Sequence, residues 1–108
     1  MQEPGLDRHE WESRWAVLEE EAEEAPAEAL PEIDRLLEEM LTARGYVLDD
    51  PVIREGEDRE VVAEFLAARE VTRLADEGSE DISPGDIASA FNDYRSLHEY
   101  LIEQRSPP

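Results

Sequence analysis

The chain has 108 residues, of which 30 are Asp or Glu and ten are basic, all of them Arg, with no Lys and no Cys, giving a net charge of -20. Nucleic acid and anionic membrane surfaces are thereby excluded as direct partners, because either needs clustered basic side chains to neutralise it, and the Arg residues here are scattered among acids. The missing Cys excludes disulfides, thiolate nucleophiles and Cys-ligated zinc, while an apolar content of 40% suits a single domain that buries roughly 65% of its unfolded surface.

The acid is spread along the chain, with 16 acids against five Arg in residues 1–54 and 14 against five in residues 55–108, so no separate tail carries it. No apolar run approaches the ~20 residues that span a bilayer. Met1–Gly5 lacks the basic-then-apolar pattern of an export signal, and the expected location is cytoplasmic.

The first predicted helix covers about residues 7–25. Asp7 stands as its N-cap with Glu10 as capping-box partner, and Leu6 is placed to staple against Trp11. Trp11, Trp15, Leu18 and Ala22 recur at helical spacing as a narrow apolar stripe, which Pro26 ends. A second helix is expected over 31–44. It opens on Pro31, whose missing N–H costs nothing in a first turn, after an Ala-rich connection through Glu28 and Leu30. Ile33, Leu36, Leu37, Met40 and Leu41 supply its buried face. Gly45 offers the left-handed residue of a Schellman ending, with Tyr46 folding back on Leu41. Residues 47–53 read as an irregular or briefly extended crossing, because Pro51 forces Asp50 out of helical geometry.

The third helix is expected over 58–77, stopping at Gly78. Its apolar residues form no single stripe: Val61, Phe65 and Ala68 share one face, Val62 and Leu66 another, and Ala67, Val71 and Leu74 lie further round. This predicts a central helix touched by two neighbours or by a second subunit. The fourth helix, over 84–105, has Ser83 as N-cap, Pro84 at the first position, Asp86 at the third, and Ile82 placed to staple against Ile87. Ile87, Phe91, Tyr94, Leu97, His98, Leu101 and Ile102 make one broad face. Residues 1–5 and 106–108 are expected to fray. The fold class is therefore all-α: one compact domain, 1–108, of four helices, loosely bundle-like and antiparallel, with the third helix central.

The densest acidic segment is Glu19-Glu20-Glu21-Ala22-Glu23-Glu24, inside a stretch from Ala16 to Asp34 with eight acids and no base. Near a helix C-terminus these carboxylates oppose the macrodipole at ~0.3–1 kcal/mol each when exposed. The run reads either as a contact patch for a basic partner or as a solvated face. Glu20, Glu21 and Glu24 also resemble the E-E-x-x-E arrangement of the MazG-type all-α nucleotide pyrophosphohydrolases. That resemblance implies a Mg²⁺- or Mn²⁺-dependent hydrolase, and carboxylates at i and i+4 can share such an ion. The facing acidic helix of that family has no counterpart, since Glu55-Gly56-Glu57-Asp58 supplies the letters only in a loop or at a helix start.

His98-Glu99-Tyr100 resembles the H-x-Y end of the HEPN-type helical ribonucleases, but Asp93 stands where that pattern has Arg. His98 lies among Tyr94, Leu101 and Ile102 and is expected to be packed or hydrogen-bonded. Neither His9 nor His98 has Glu three positions before it, which excludes the Glu-x-x-His di-iron pattern. Trp11 and Trp15 are read as core anchors, and Tyr46 and Tyr100 as outer contacts.

No catalysis and no cofactor are expected. The function these residues support is an acidic interaction or regulatory module. It engages a basic protein surface through Glu19, Glu20, Glu21, Glu23 and Glu24, or self-associates as a homodimer through the third helix. Nucleic-acid mimicry, with helix-borne carboxylates occupying the DNA-binding cleft of another protein, is a sharper form of the same reading. The alternative from another class is the metal-dependent hydrolase built on Glu20, Glu21 and Glu24.

Overall fold

Prolines start three of the four helices and glycines stop two of them. The computed structural model describes residues 4–46, 48 and 56–103, with side chains from residue 9 in the first helix and from residue 59 in the third. Its elements are α1 (Pro4–Glu24), α2 (Pro26–Ala43), α3 (Gly56–Asp76) and α4 (Pro84–Glu103). The fold class is all-α as expected, with no strand among the described residues. None of the described helices is long and apolar enough to cross a membrane.

Helix α1 begins one turn before its expected start. Pro4 tolerates the first turn because its missing N–H would have no partner there. Asp7 therefore lies within the helix and is not its N-cap, so the expected capping box loses its place; the side chain of Asp7 lies outside the described residues. Residues 4 and 5, expected at the chain's end, belong to α1, whereas residues 1–3 and 106–108, and the side chain of Leu6, lie outside what is described. Trp11, Trp15, Leu18 and Ala22 are buried as the stripe requires.

A single residue separates α1 from α2. Ala25 is extended (φ -144°, ψ 74°), as a residue before proline must be. Its N–H donates to the Glu21 carbonyl, and its own carbonyl accepts from Glu28 and Ala29. The expected Ala-rich connection is thus helical, and α2 starts at Pro26 rather than Pro31. Burial explains the difference. Ala29 and Leu30 are fully enclosed, and hiding a Leu contributes ~1.5–3 kcal/mol, which with the burial of Ala29 offsets the ~3 kcal/mol that an interior proline costs.

The ends of α2 and α3 share one geometry. Gly45 has φ +91°, the Tyr46 N–H donates to the Leu41 carbonyl at 3.0 Å, and the Gly45 N–H to Thr42 at 3.0 Å. Gly78 has φ +76°, with Ser79 donating to Leu74 and Gly78 to Ala75. Both are Schellman endings. At the start of α4, Ser83 and Asp86 exchange hydrogen bonds at 2.9 and 3.1 Å, the reciprocal capping box. Residues 104 and 105 and most of the 47–53 crossing lie outside the described residues; within that crossing Leu48 packs on the core.

Helix α3 does contact two neighbours, α2 and α4, but α2 and α4 each contact all three other helices, so the third helix is not the central one. The continuous α2 face of Ala29, Leu30, Ile33, Leu36, Leu37, Met40 and Leu41 is wholly enclosed. The scatter on α3 resolves into Val61, Val62, Phe65 and Ala68 buried, Leu66, Val71 and Leu74 half-buried, and Ala67 exposed. Early residues of α1 meet late residues of α2: Arg14 Nη2 lies 2.7 Å from Glu39, and the Arg44 guanidinium 5.4 Å from the Trp11 ring centre.

One polar network ties α2, α3 and α4 together. The enclosed Tyr94 hydroxyl donates to Asp34 Oδ2 at 2.8 Å and lies 2.7 Å from Thr72 Oγ1, which itself bonds the Ala68 carbonyl. Asp34 also accepts from Arg69 Nη2 at 2.8 Å, and Arg69 pairs with Glu38 and covers the Phe65 ring. Burial pushes the Tyr94 phenol far above its usual range, so it remains a neutral donor.

Candidate functional site

Helix α1 packs extensively on α2 but only lightly on α4, and between α1 and α4 runs a groove of about 460 Å³. Helix α1 contributes Glu12, Trp15 and Glu19 to it; α4 contributes Arg95, His98, Glu99, Ile102 and Glu103. These positions follow from helical spacing. Trp15 belongs to the buried stripe, and Glu12 and Glu19, three before and four after it, flank it on the α4 side. On α4, Arg95, Glu99 and Glu103 recur at intervals of four beside the buried His98 and Ile102.

The floor is aromatic. The Trp15 ring stacks on His98, with centres 4.6 Å apart and planes 20° apart, and on Phe91 at 5.7 Å and 15°. The rim is acidic, and Arg95 is the one cation among the described residues that line it. Arg95 reaches Glu19 at 3.6 Å and lies with its guanidinium carbon 5.0 Å from the Phe91 ring centre. Both partners of that ion pair are more than 40% exposed, so solvent and salt weaken it.

His98 is 6% exposed, packed as its neighbours in sequence suggested. Its ring hydrogen-bonds to the Trp11 backbone carbonyl, while Nε2 is enclosed and has no hydrogen-bond partner. A carbonyl only accepts, so Nδ1 carries the proton and Nε2 presents a lone pair. Burial holds the imidazole below the usual histidine range, opposed by the Trp11 bond and by the charges of Glu12, Glu99 and Glu19. The ring is therefore neutral at pH 7.

No family model, curated protein or solved structure matches this chain. What the groove can do is therefore read from its own chemistry: carboxylates around stacked aromatic faces and an unsatisfied acceptor suit an organic cation, which each of these groups attracts.

The five glutamates singled out in the sequence do not form one patch. Glu19 borders the groove; Glu20, Glu23 and Glu24 are exposed. Glu21 turns towards α2, beside Glu32. Sharing a proton with the Glu32 carboxyl raises its pKa, reinforced by burial and by the charges of Glu32 and Glu28. Glu21 thus leaves the E-E-x-x-E set, and no three acidic or histidine side chains among the described residues are grouped to hold a metal. Of Glu55-Gly56-Glu57-Asp58, Glu55 lies outside the described residues and the rest open α3.

Trp11 and Trp15 are core anchors as expected. Tyr46 is not an outer contact: the Schellman ending carries it inward, to 7% exposure. Tyr100 is half-buried against the core. Glu12, Glu99 and Glu103 were missed because each stands alone in sequence; only pairing α1 with α4 adds them to Glu19.

Proposed function

We propose that this chain is a non-catalytic interaction module whose α1–α4 groove receives a basic segment of a partner protein. The observation that carries this reading is the rim of Glu12, Glu19, Glu99 and Glu103 around an aromatic floor, with Arg95 as the cation within it. The net charge of -20 adds long-range attraction for such a partner, which raises encounter rates at low salt. The exposed positions of α3, among them Glu60, Ala63, Ala67, Glu70 and Arg73, are small or charged, and this favours the groove over self-association through α3.

Titration of a fluorescent Arg-rich peptide tests the proposal. Glu19→Gln with Glu99→Gln is expected to weaken binding three- to tenfold at ~0.1 M salt, at ~0.2–1 kcal/mol for each exposed charge, whereas Glu20→Gln with Glu24→Gln changes it less than twofold. Raising salt to ~0.5 M weakens binding throughout, as screening shortens to a few ångströms. Equal losses from both pairs would mean that the general acidity, and not the groove, attracts the peptide.

A further inference from the structure

The enclosed Nε2 of His98 is the one feature of the groove that its charge does not explain. A buried acceptor without a donor is a liability in any fold, and here it belongs to a residue that lines a space rimmed by carboxylates and floored by aromatic rings. Arg95 already occupies part of that space, resting on Phe91 and pairing loosely with Glu19. Its guanidinium has the shape and charge of the group the site accommodates.

We propose that His98 is the specificity residue of the groove: its neutral Nε2 accepts a hydrogen bond from the guanidinium of a partner's arginine side chain. This rests on the reading of the groove as a site for a basic segment and deepens it by naming the group that is read. A guanidinium is planar and carries five donors, so it can bond Nε2 and a carboxylate together while lying on an aromatic face; an ammonium is a compact, strongly hydrated point charge. Because Nε2 is enclosed in the free chain, the partner's arginine displaces Arg95, whose exposed ion pair is easily replaced, and parts the light α1–α4 contact to reach it.

The choice of Nε2 makes binding depend on pH. Protonation converts Nε2 from acceptor to donor and places a positive charge where the cation must sit. The groups facing the imidazole are Glu12 and Glu19 on α1 and Arg95, Glu99 and Glu103 on α4, with Arg44, the residue that follows α2, over the Trp11 ring. The acids favour protonation and burial disfavours it, and burial dominates. Binding is therefore at full strength above the usual histidine range and falls as pH drops below it.

The test uses the whole chain, with two peptides of equal length and charge, one carrying Arg and the other Lys, titrated into the wild type and into His98→Phe, which keeps a ring against Trp15 but has no acceptor. The wild type is expected to bind the Arg peptide about tenfold more tightly than the Lys peptide at pH 7.5, and to lose that preference as His98 titrates. The variant is expected to bind both alike at every pH. Should His98→Phe not fold, ¹⁵N-labelled wild type gives the answer, since Nε2 of His98 must shift when N-acetyl-arginine amide is added while exposed His9 stays in place. An unchanged Arg preference in His98→Phe, or an unmoved Nε2 resonance at saturation, overturns the assignment to His98 even if the carboxylate variants lose binding. Absence of binding by either peptide overturns both this inference and the groove reading beneath it.

Discussion

The Tyr94 hydroxyl sits where three helices meet, between Asp34 of α2 and Thr72 of α3. Tyr94→Phe keeps the ring and its edge-to-face contact with Phe65 but removes both hydrogen bonds. Asp34 retains Arg69, and the single Thr72 hydroxyl proton, shared between Tyr94 and the Ala68 carbonyl, goes wholly to that carbonyl, so neither is left bare. The expected cost is ~1–2 kcal/mol in urea unfolding, with an unchanged helical signal. A loss under ~0.3 kcal/mol would show that the network positions groups without stabilising them. None of these pairings could be read from the sequence, because Asp34, Thr72 and Tyr94 belong to different helices and each alone looks ordinary. Tyr94 and His98 were legible only as polar members of an apolar face, four residues apart.

At the level of elements, legibility depended on how local each signal was. The Ser83–Asp86 box and the Gly45 and Gly78 endings are completed within six residues, and all three appear where the sequence puts them. The start of α2 was not legible in the same way, because Pro26 and Pro31 are equally good openers and only the burial of Ala29 and Leu30 decides between them. Pro31 is consequently an interior proline, and Pro31→Ala restores an N–H for the Ala27 carbonyl. The variant is expected to be more stable by ~1–2 kcal/mol, an interior-proline penalty of ~3 kcal/mol offset in part by the freer unfolded chain. A fall in the thermal midpoint would indicate instead that the backbone geometry Pro31 imposes is needed to seat α2 among its three neighbours.

For the molecule as a whole, two electrostatic effects of opposite sign compete. The ion pairs Arg14–Glu39, Arg69–Asp34, Arg73–Glu77 and Arg95–Glu19 are partly or well exposed and contribute ~0–1 kcal/mol each. A net charge of -20 repels itself throughout the fold, and the raised carboxyls of Glu21, beside Glu32, and of Glu64, desolvated and near Asp93, are local signs of it. Both effects are screened by salt, but the pairs made by these four arginines cannot match a surplus of this size. The thermal midpoint is expected to rise by several degrees between ~0.05 and ~0.5 M NaCl; a decrease would mean that the pairs outweigh the repulsion. The surplus was fully legible in the sequence. Its division into a groove-facing set and an α2-facing set was not, because six consecutive helical positions point around most of the circle.

The single-residue elbow at Ala25 turns α1 into a lever. A rod of 21 residues, about 31 Å long at 1.5 Å per residue, is fixed at one end by the hydrogen bonds on either side of Ala25 and cannot slide along α2. Any parting of α1 from α4 is therefore a tilt about that pivot, and the two ends of the groove would open unequally. A tilt of about 10° displaces Glu23 by less than ~1 Å but carries Trp11 through roughly 3–4 Å, about the thickness of one planar side chain. The mouth of the groove is thus its Glu12 end, beside His98, and a side chain entering there works against the longest arm that the fold provides.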